Sequence, residues 1–244
     1  MERLVFGAPL FLPNIFLPDL LKHSASCLTL ETKLMKIAIV GTGNVGSMLG
    51  RRLAAVGHEI TFVTRSPESD RAKELLSHPG VSGVTDQLSD VAGQVPVTIY
   101  AGPYDQAESI LKNAGNFAGT ILVDCTNPLN KAFDGLLLGH DDSAGERIAA
   151  WAPSSRVVKA FNTSSVATMA DPNYSGHKAT QFYCGDDSDA KQMVAGLISE
   201  LGMEPVDAGR LTNARYLEAT AMLYIHLAVR GGWGGNCALK ILKR

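Results

Sequence analysis

Charge of either sign is nearly balanced in this chain: 22 Lys and Arg stand against 24 Asp and Glu, a formal net charge of −2. Nothing draws it generally toward nucleic acid or an anionic membrane, so any phosphate must be held by donors placed locally. Cysteine is sparse too. Cys27, Cys125, Cys184 and Cys237 stand far apart and form no C-x-x-C, which excludes a zinc ribbon and a thioredoxin-like motif and suits a reducing cytoplasm. Long hydrophobic runs are also missing. The apolar stretch Phe6 to Leu21 is broken by Pro9, Pro13 and Pro18 and closed by Asp19 and Lys22, too short and interrupted for a membrane span. It lacks the basic start and small-residue cleavage site of a secretory signal. Residues 1–34 are expected to be a loosely ordered extension or the product of a wrongly chosen upstream start, with an anchor for a membrane or partner as the alternative. No internal repeat or low-complexity tract is present. What is there, 244 residues with 45% hydrophobic content, suffices for one substantial core handling small molecules.

From Lys36 onward apolar runs alternate with helical segments, the pattern of a parallel sheet covered by helices on both faces. Strands are expected at 36–40, 58–63, 95–101, 120–124, 157–161, 180–184 and 204–207. Helices are expected at 43–56, 68–76, 104–113, 145–151, 187–201 and 214–229, and two long loops, 126–143 and 170–178, are rich in Gly, Asp, Asn and Pro. The expected class is therefore α/β, a Rossmann-type doubly wound, mainly parallel sheet. Such sheets bind ligands at the carboxyl ends of their strands.

One motif carries chemistry. Gly41-x-Gly43-x-x-Gly46 directly follows the strand Ile37 to Val40 and opens a helix, the context that makes an otherwise weak pattern specific. Gly41 permits the tight turn, Gly43 lets backbone approach a pyrophosphate, and Gly46 lets helix pack on strand. The helix N-terminus adds free N–H groups and partial positive charge. At the end of the second strand, where an NAD site places Asp or Glu on the ribose 2′-hydroxyl, this chain has Thr64-Arg65-Ser66. A carboxylate there would repel a 2′-phosphate, whereas a guanidinium and two hydroxyls hold it, so NADP is the expected cofactor.

From Met35 onward the chain resembles the NADPH-dependent reductases of the deazaflavin coenzyme F-420 and, with them, the oxidoreductase domains of six-transmembrane metalloreductases. The resemblance rests on Gly-Thr-Gly-Asn at 41–44, Thr-Arg at 64–65, Cys-Gly-Asp-Asp at 184–187 and Asp-Ala-Gly-Arg-Leu-Thr-Asn-Ala-Arg at 207–215; Val-Lys-Ala-Phe-Asn at 158–162 is similar to the metalloreductase branch. It implies a Rossmann domain over 35–208 and a C-terminal helical segment over 209–244 that closes over the nicotinamide or forms a homodimer contact. It also implies that Thr42, Gly43, Asn44 and Val45 line the pyrophosphate and Thr64 and Arg65 the 2′-phosphate. Gly102, Gln106, Asn127 and the stretch from Asn162 would border the ribose and nicotinamide. The implied acceptor is a deazaflavin or a flavin (FMN or FAD). This chain departs from the deazaflavin reductases at Gly102, where they carry a bulky apolar residue, and at Asn162, where they commonly carry His.

Other groups read less sharply. A catalytic Tyr-x-x-x-Lys pair is not expected, and no His–Asp dyad is evident. This suits hydride transfer between stacked rings, where positioning supplies most of the catalysis. His226 reads as a packed or interface histidine, Tyr104 as a ribose contact or a helix-start packing residue, and Cys125 as a small buried hydrophobe. Trp233, within Gly231-Gly232-Trp233-Gly234-Gly235, either stacks on a flat ligand or sits in a helix-breaking turn. Asp186, Asp187 and Asp189 read as capping groups, and His140, Asp141 and Asp142 as a loop rather than a metal site. The reading is thus an NADP(H)-dependent oxidoreductase passing a hydride to a deazaflavin or flavin. The alternative is a non-catalytic NADP(H) sensor acting through a protein partner.

Overall fold

A computed structural model describes residues 34–244, and these fall within one compact unit. The expectation for the N-terminal extension lies outside the described residues. Apolar alternation builds the central sheet. In β1 (Lys36–Val40) Ile37 and Ile39 face one side while Val40 faces the other, and both sides are buried. The remaining strands are β2 (Glu59–Val63), β3 (Val81–Thr85), β4 (Val97–Tyr100), β5 (Ile121–Asp124), β6 (Arg156–Ala160), β9 (Thr180–Gly185) and β10 (Glu204–Asp207), after a small hairpin of β7 (Asn173–Tyr174) and β8 (His177–Lys178). The sheet order is β10-β9-β6-β5-β4-β1-β2-β3, with every neighbouring pair parallel except β6 and β9. The order reverses between β1 and β4, the switch point at which such sheets open a ligand crevice.

Helices cover both faces. Leu49 and Leu53 of α1 (Asn44–Ala55), Leu75 of α2 (Asp70–Leu76), Met169 of α5 (Val166–Ala170) and Val194, Leu197 and Ile198 of α6 (Ser188–Glu200) pack with Ile37, Ile39 and Phe62. Ala107 and Leu111 of α3 (Tyr104–Lys112) and Ile148 of α4 (Ala144–Trp151) pack on the other face with Val40, Tyr100 and Leu122. At roughly 25 cal/mol per Å² of apolar surface removed from water, burial on both faces is the main force holding the sheet. Arg52 closes two helix ends together, donating to the carbonyls of Ala170 and Leu201, each at 2.7 Å. The structure is the Rossmann-type, mainly parallel α/β fold expected.

Several elements differ from expectation. No strand was expected between Leu76 and Val95, yet β3 forms there. Its sequence Val-Ser-Gly-Val-Thr has only two strong apolar residues because it is an edge strand, paired to β2 alone with a register irregularity. The loop 170–178 contains the β7–β8 hairpin, with Gly176 at φ +88° in its turn. The last helix was expected to run to Val229. As an α-helix, α7 (Ala214–Ile225) stops earlier and His226–Arg230 widens into a π turn closed by the Gly231 N–H on the His226 carbonyl at 2.9 Å. A Cβ at residue 231 would lie 2.6 Å from the Leu227 carbonyl oxygen, so only glycine closes the turn this way.

Candidate functional site

Two clefts open at the carboxyl ends of the strands. The first, about 610 Å³, is lined by Gly41, Thr42, Gly43, Thr64, Arg65, Gly102 and Gln106 of the expected set. The glycine loop that floors it is fixed by sterics. Gly41 holds φ +104°, and a Cβ there would press to 2.9 Å on the Ala101 carbonyl oxygen. A Cβ on Gly46 would come within 2.0 Å of the Gly41 carbonyl oxygen, so Gly46 serves the approach of helix to strand and lines neither cleft. Gly43 is different: nothing lies within 4 Å of the Cβ it lacks. Its bareness serves no contact within the described protein and suits a ligand approaching the backbone. Gly43 is also the cap residue of α1, where no side chain caps the free N–H groups, leaving them for an anion.

The charged residues lining this cleft are Arg65 and Asp86. Arg65 is exposed at the end of β2, and the Thr64 hydroxyl lies 3.3 Å from that of Thr42. A second guanidinium arrives that sequence reasoning missed: Arg71 of α2 donates through Nε to the Thr42 carbonyl and through Nη2 to the Ser47 hydroxyl at 3.1 Å. Ser69 sets its position by capping α2 through the Ala72 N–H at 3.3 Å, so the helix begins later than Glu68. Ser66 lines neither cleft, and its carbonyl accepts from Ser69 in the turn before the helix. Asn44 is exposed at the start of α1. Asp86, Gln87 and Ser89, also missed because β3 was missed, complete the far wall. Gly102 has a structural reason: a Cβ there would crowd the Tyr100 ring and hydroxyl at 3.1 and 3.0 Å. That buried hydroxyl donates to the Pro103 carbonyl at 3.0 Å, and burial, with Asp124 and Asp105 nearby, raises its pKa.

The second cleft, about 470 Å³, brings together Val45, Asn127 and Asn162 with Cys125, Phe161 and the α7 residues Tyr224 and Ile225. Among the described residues lining it none is charged. Asn127 and Asn162 bind each other: Asn127 Nδ2 donates to the Asn162 carbonyl at 2.9 Å, and Asn162 Nδ2 to Asn127 Oδ1 at 3.0 Å. Asn162 is 6% exposed and its Oδ1 has no partner, a buried acceptor awaiting a donor. Phe161, fully buried at φ +62°, makes the turn that presents Asn162. A left-handed bulky residue of this kind is strained and clusters at functional sites. Burial pushes the Cys125 thiol pKa upward, so it acts as a small hydrophobe although it lines the cleft.

Beneath this cleft lies a buried ionic cluster that sequence reasoning also missed. Lys159 of β6, with no exposed surface, donates to Asp124 at 2.6 Å and to the Thr126 carbonyl at 2.8 Å, and lies 2.9 Å from Glu218 of α7. Burial opposes its charge, but the two carboxylates outweigh it and its pKa is raised. Glu218, raised by burial, also accepts from the first N–H groups of α4 at 3.1 and 3.2 Å.

After the π turn the chain runs back past the second cleft. Gly234 and Gly235 line it, and the carbonyls of Gly235 and Cys237 accept from Ser165 at 2.6 Å and from Tyr224 at 2.9 Å. Trp233 itself is exposed and lines neither cleft. Tyr104 packs on Trp151, ring centres 5.8 Å apart, which is the helix-start role. His226 is exposed rather than packed. Asp187 caps α6 through the Ala190 N–H at 2.7 Å, Asp186 accepts from the Leu211 N–H, and no metal-ligand cluster occurs among the described residues. One Tyr-x-x-x-Lys spacing, Tyr174 to Lys178, does exist off the expected helices. It lies on the β7–β8 hairpin with the Tyr174 hydroxyl on Thr168 and lines neither cleft.

Residues 36–128 match the family described as NADP oxidoreductase coenzyme F420-dependent. A solved structure of a candidate F420-dependent NADP reductase from Arthrobacter sp. FB24 is 34% identical. The alignment covers 86% of this chain and all of that one with a TM-score of 0.77. The F420-dependent NADP reductase of Methanothermobacter thermautotrophicus is 28% identical over 82% of this chain and 92% of that protein. Metalloreductase STEAP3 of Rattus norvegicus is 32% identical over 75% of this chain, but the match spans only 36% of that protein. The chain belongs to the F420-dependent NADP reductase-like family, an NADP oxidoreductase family, and is distantly related to metalloreductase oxidoreductase domains.

Proposed function

We propose that the two clefts hold the two ends of NADP(H), and that the chain passes a hydride to a deazaflavin or flavin ring seated in the second. The observation that carries the cofactor assignment is the first cleft, where Thr64 and Arg65 line a backbone loop left bare at Gly43 and Arg71 holds that loop through the Thr42 carbonyl. On this reading Thr42, Gly43 and Asn44 meet the pyrophosphate, Thr64 and Arg65 the 2′-phosphate, and Gly102 and Gln106 the ribose. Val45, Asn127 and Asn162 meet the nicotinamide end, where the unpartnered Asn162 Oδ1 suits the amide N–H of a carboxamide.

Bound NADPH supplies the hydride, and the residues of the chain orient it. Val45 and Phe161 wall the second cleft with apolar surface, Asn127 locks Asn162, and the tail at Gly234 and Gly235 narrows the opening. The Tyr224 hydroxyl is committed to the Cys237 carbonyl at 2.9 Å, and burial raises the pKa of both this phenol and the Cys125 thiol, so neither gives up a proton readily. A conjugated ring that takes the hydride delocalises the charge and draws its one proton from solvent, so no positioned acid is required. The exposed apolar residues Tyr216 and Leu223 of α7, with Val229 at the second cleft, supply a face for a homodimer.

The test is titration of the wild-type chain and Arg65→Ala with NADPH and NADH. A charge-assisted hydrogen bond is worth about 1.5–3 kcal/mol, so NADPH affinity should fall roughly ten- to a hundredfold while NADH affinity holds. Equal loss of both, or loss of neither, would reject the assignment.

A further inference from the structure

The buried cluster of Lys159, Asp124 and Glu218 lines neither cleft, yet its bonds reach Thr126, next to Asn127, and α7, two segments that shape the second one. Lys159 Nζ holds the Thr126 carbonyl at 2.8 Å while Asp124 Oδ1 accepts the Thr126 N–H at 2.8 Å. Both backbone polar groups of Thr126 are thus pinned from below. The next residue is Asn127, whose side chain locks Asn162 and so aims the unpartnered Oδ1. The third contact of Lys159, at 2.9 Å, is Glu218, on the buried face of the helix whose far end brings Tyr224 and Ile225 to the opposite wall. Glu218 in turn holds the N-terminus of α4, where the long loop that starts at Thr126 ends.

A buried ion cluster is a poor device for stability alone, since desolvation of three charges consumes most of what their attraction returns. It does fix geometry, because each partner must stay within hydrogen-bond distance of one nitrogen. We infer that Lys159 is a positioning residue for hydride transfer: through Thr126 and Glu218 it sets the spacing between the Asn127–Asn162 floor and the α7 wall of the second cleft. This rests on the reading of that cleft as the nicotinamide end of an NADP(H) site. The first cleft, lined from the ends of β1, β2 and β4, the segment after β3 and α3, receives no bond from the cluster.

The two halves of the cofactor therefore separate the effects. The wild-type chain, Lys159→Met, Glu218→Leu and the conservative Glu218→Gln are titrated with 2′,5′-ADP, which carries only the adenosine end, and with NADPH, following the emission of the bound nicotinamide. Single-turnover oxidation of NADPH by coenzyme F-420 or FMN gives the rate. Lys159→Met and Glu218→Leu should bind 2′,5′-ADP within twofold of wild type. They should also lose at least tenfold in hydride-transfer rate at saturating NADPH and shift the nicotinamide emission toward that of free NADPH. Glu218→Gln, which keeps an acceptor for Lys159 and for α4, should fold normally and stay within threefold of the wild-type rate. A folded Glu218→Leu with wild-type rate and emission would overturn the inference, as would equal losses at the 2′,5′-ADP and nicotinamide ends, or a Glu218→Gln as slow as Glu218→Leu. A wild-type chain that ignores 2′,5′-ADP would overturn the cofactor reading and this inference with it.

Discussion

Three glycines five residues apart in all do three separable jobs, and single methyl groups can tell them apart. Gly46→Ala drives a Cβ into the Gly41 carbonyl and should destabilise the fold by about 3 kcal/mol or more. Gly43→Ala meets open space at an ordinary φ of −67°, so its melting temperature should barely move, within about 0.5 kcal/mol. Its affinity for NADPH should nonetheless fall at least tenfold, since the methyl occupies the ligand's approach. Thermal melts paired with NADPH titration check both, and a Gly43→Ala that binds normally would remove the loop from the site. At this scale the glycines, Thr64 and Arg65 were legible because a local motif dictates them. Arg71 was not, because its reach depends on where Ser69 starts α2. Arg71→Met should cost NADPH about 1 kcal/mol, roughly fivefold in affinity, with less effect on NADH.

Among elements, the legible ones were those whose pattern is internally complete: buried runs such as Ile37–Val40 and amphipathic α1 and α6. β3 was invisible because an edge strand is formed by its neighbour rather than by its own residues, and the antiparallel direction of β9 depends on how the chain returns through α5 and the hairpin. The docking of α7 on α4 depends on partners distant in sequence. Arg215 meets Glu146 with two parallel bonds, Nε to Oε2 at 2.9 Å and Nη2 to Oε1 at 2.7 Å. The Arg215 bond holds the Glu146 pKa below the usual value. A depressed carboxylate contributes stability above its unfolded pKa, about 4.3, that is lost as pH falls through the folded value. Melting followed from pH 6 down to about 3 should fall less steeply for Glu146→Gln than for wild type across the acid limb below the unfolded carboxylate pKa. Identical slopes would show that the pair contributes nothing.

At the scale of the described molecule, residues 34–244 form a Rossmann sheet lengthened by β9 and β10, with α7 and the tail lining the second cleft. In the extended tail, Tyr224 and Ser165 hold the carbonyls of Cys237 and Gly235, and the Thr180 N–H at the head of β9 holds that of Leu239. This return path was read in the sequence only as a glycine-rich run around Trp233, because nothing local announces what a coil will lie against. The proposed homodimer follows from the apolar residues left bare on α7. Leu223→Glu should convert a dimer to a monomer in sedimentation velocity without altering 2′,5′-ADP binding, and a wild-type chain that sediments as a monomer would dismiss it. The central claim, that a hydride passes directly from NADPH to a conjugated ring, is tested most directly with NADPH deuterated at the nicotinamide C4 and oxidised coenzyme F-420 in ordinary water. The account predicts that one C4 deuterium is transferred and retained on the carbon of the reduced deazaflavin. Tight NADPH binding with no oxidation, or deuterium appearing only in the solvent, would contradict it.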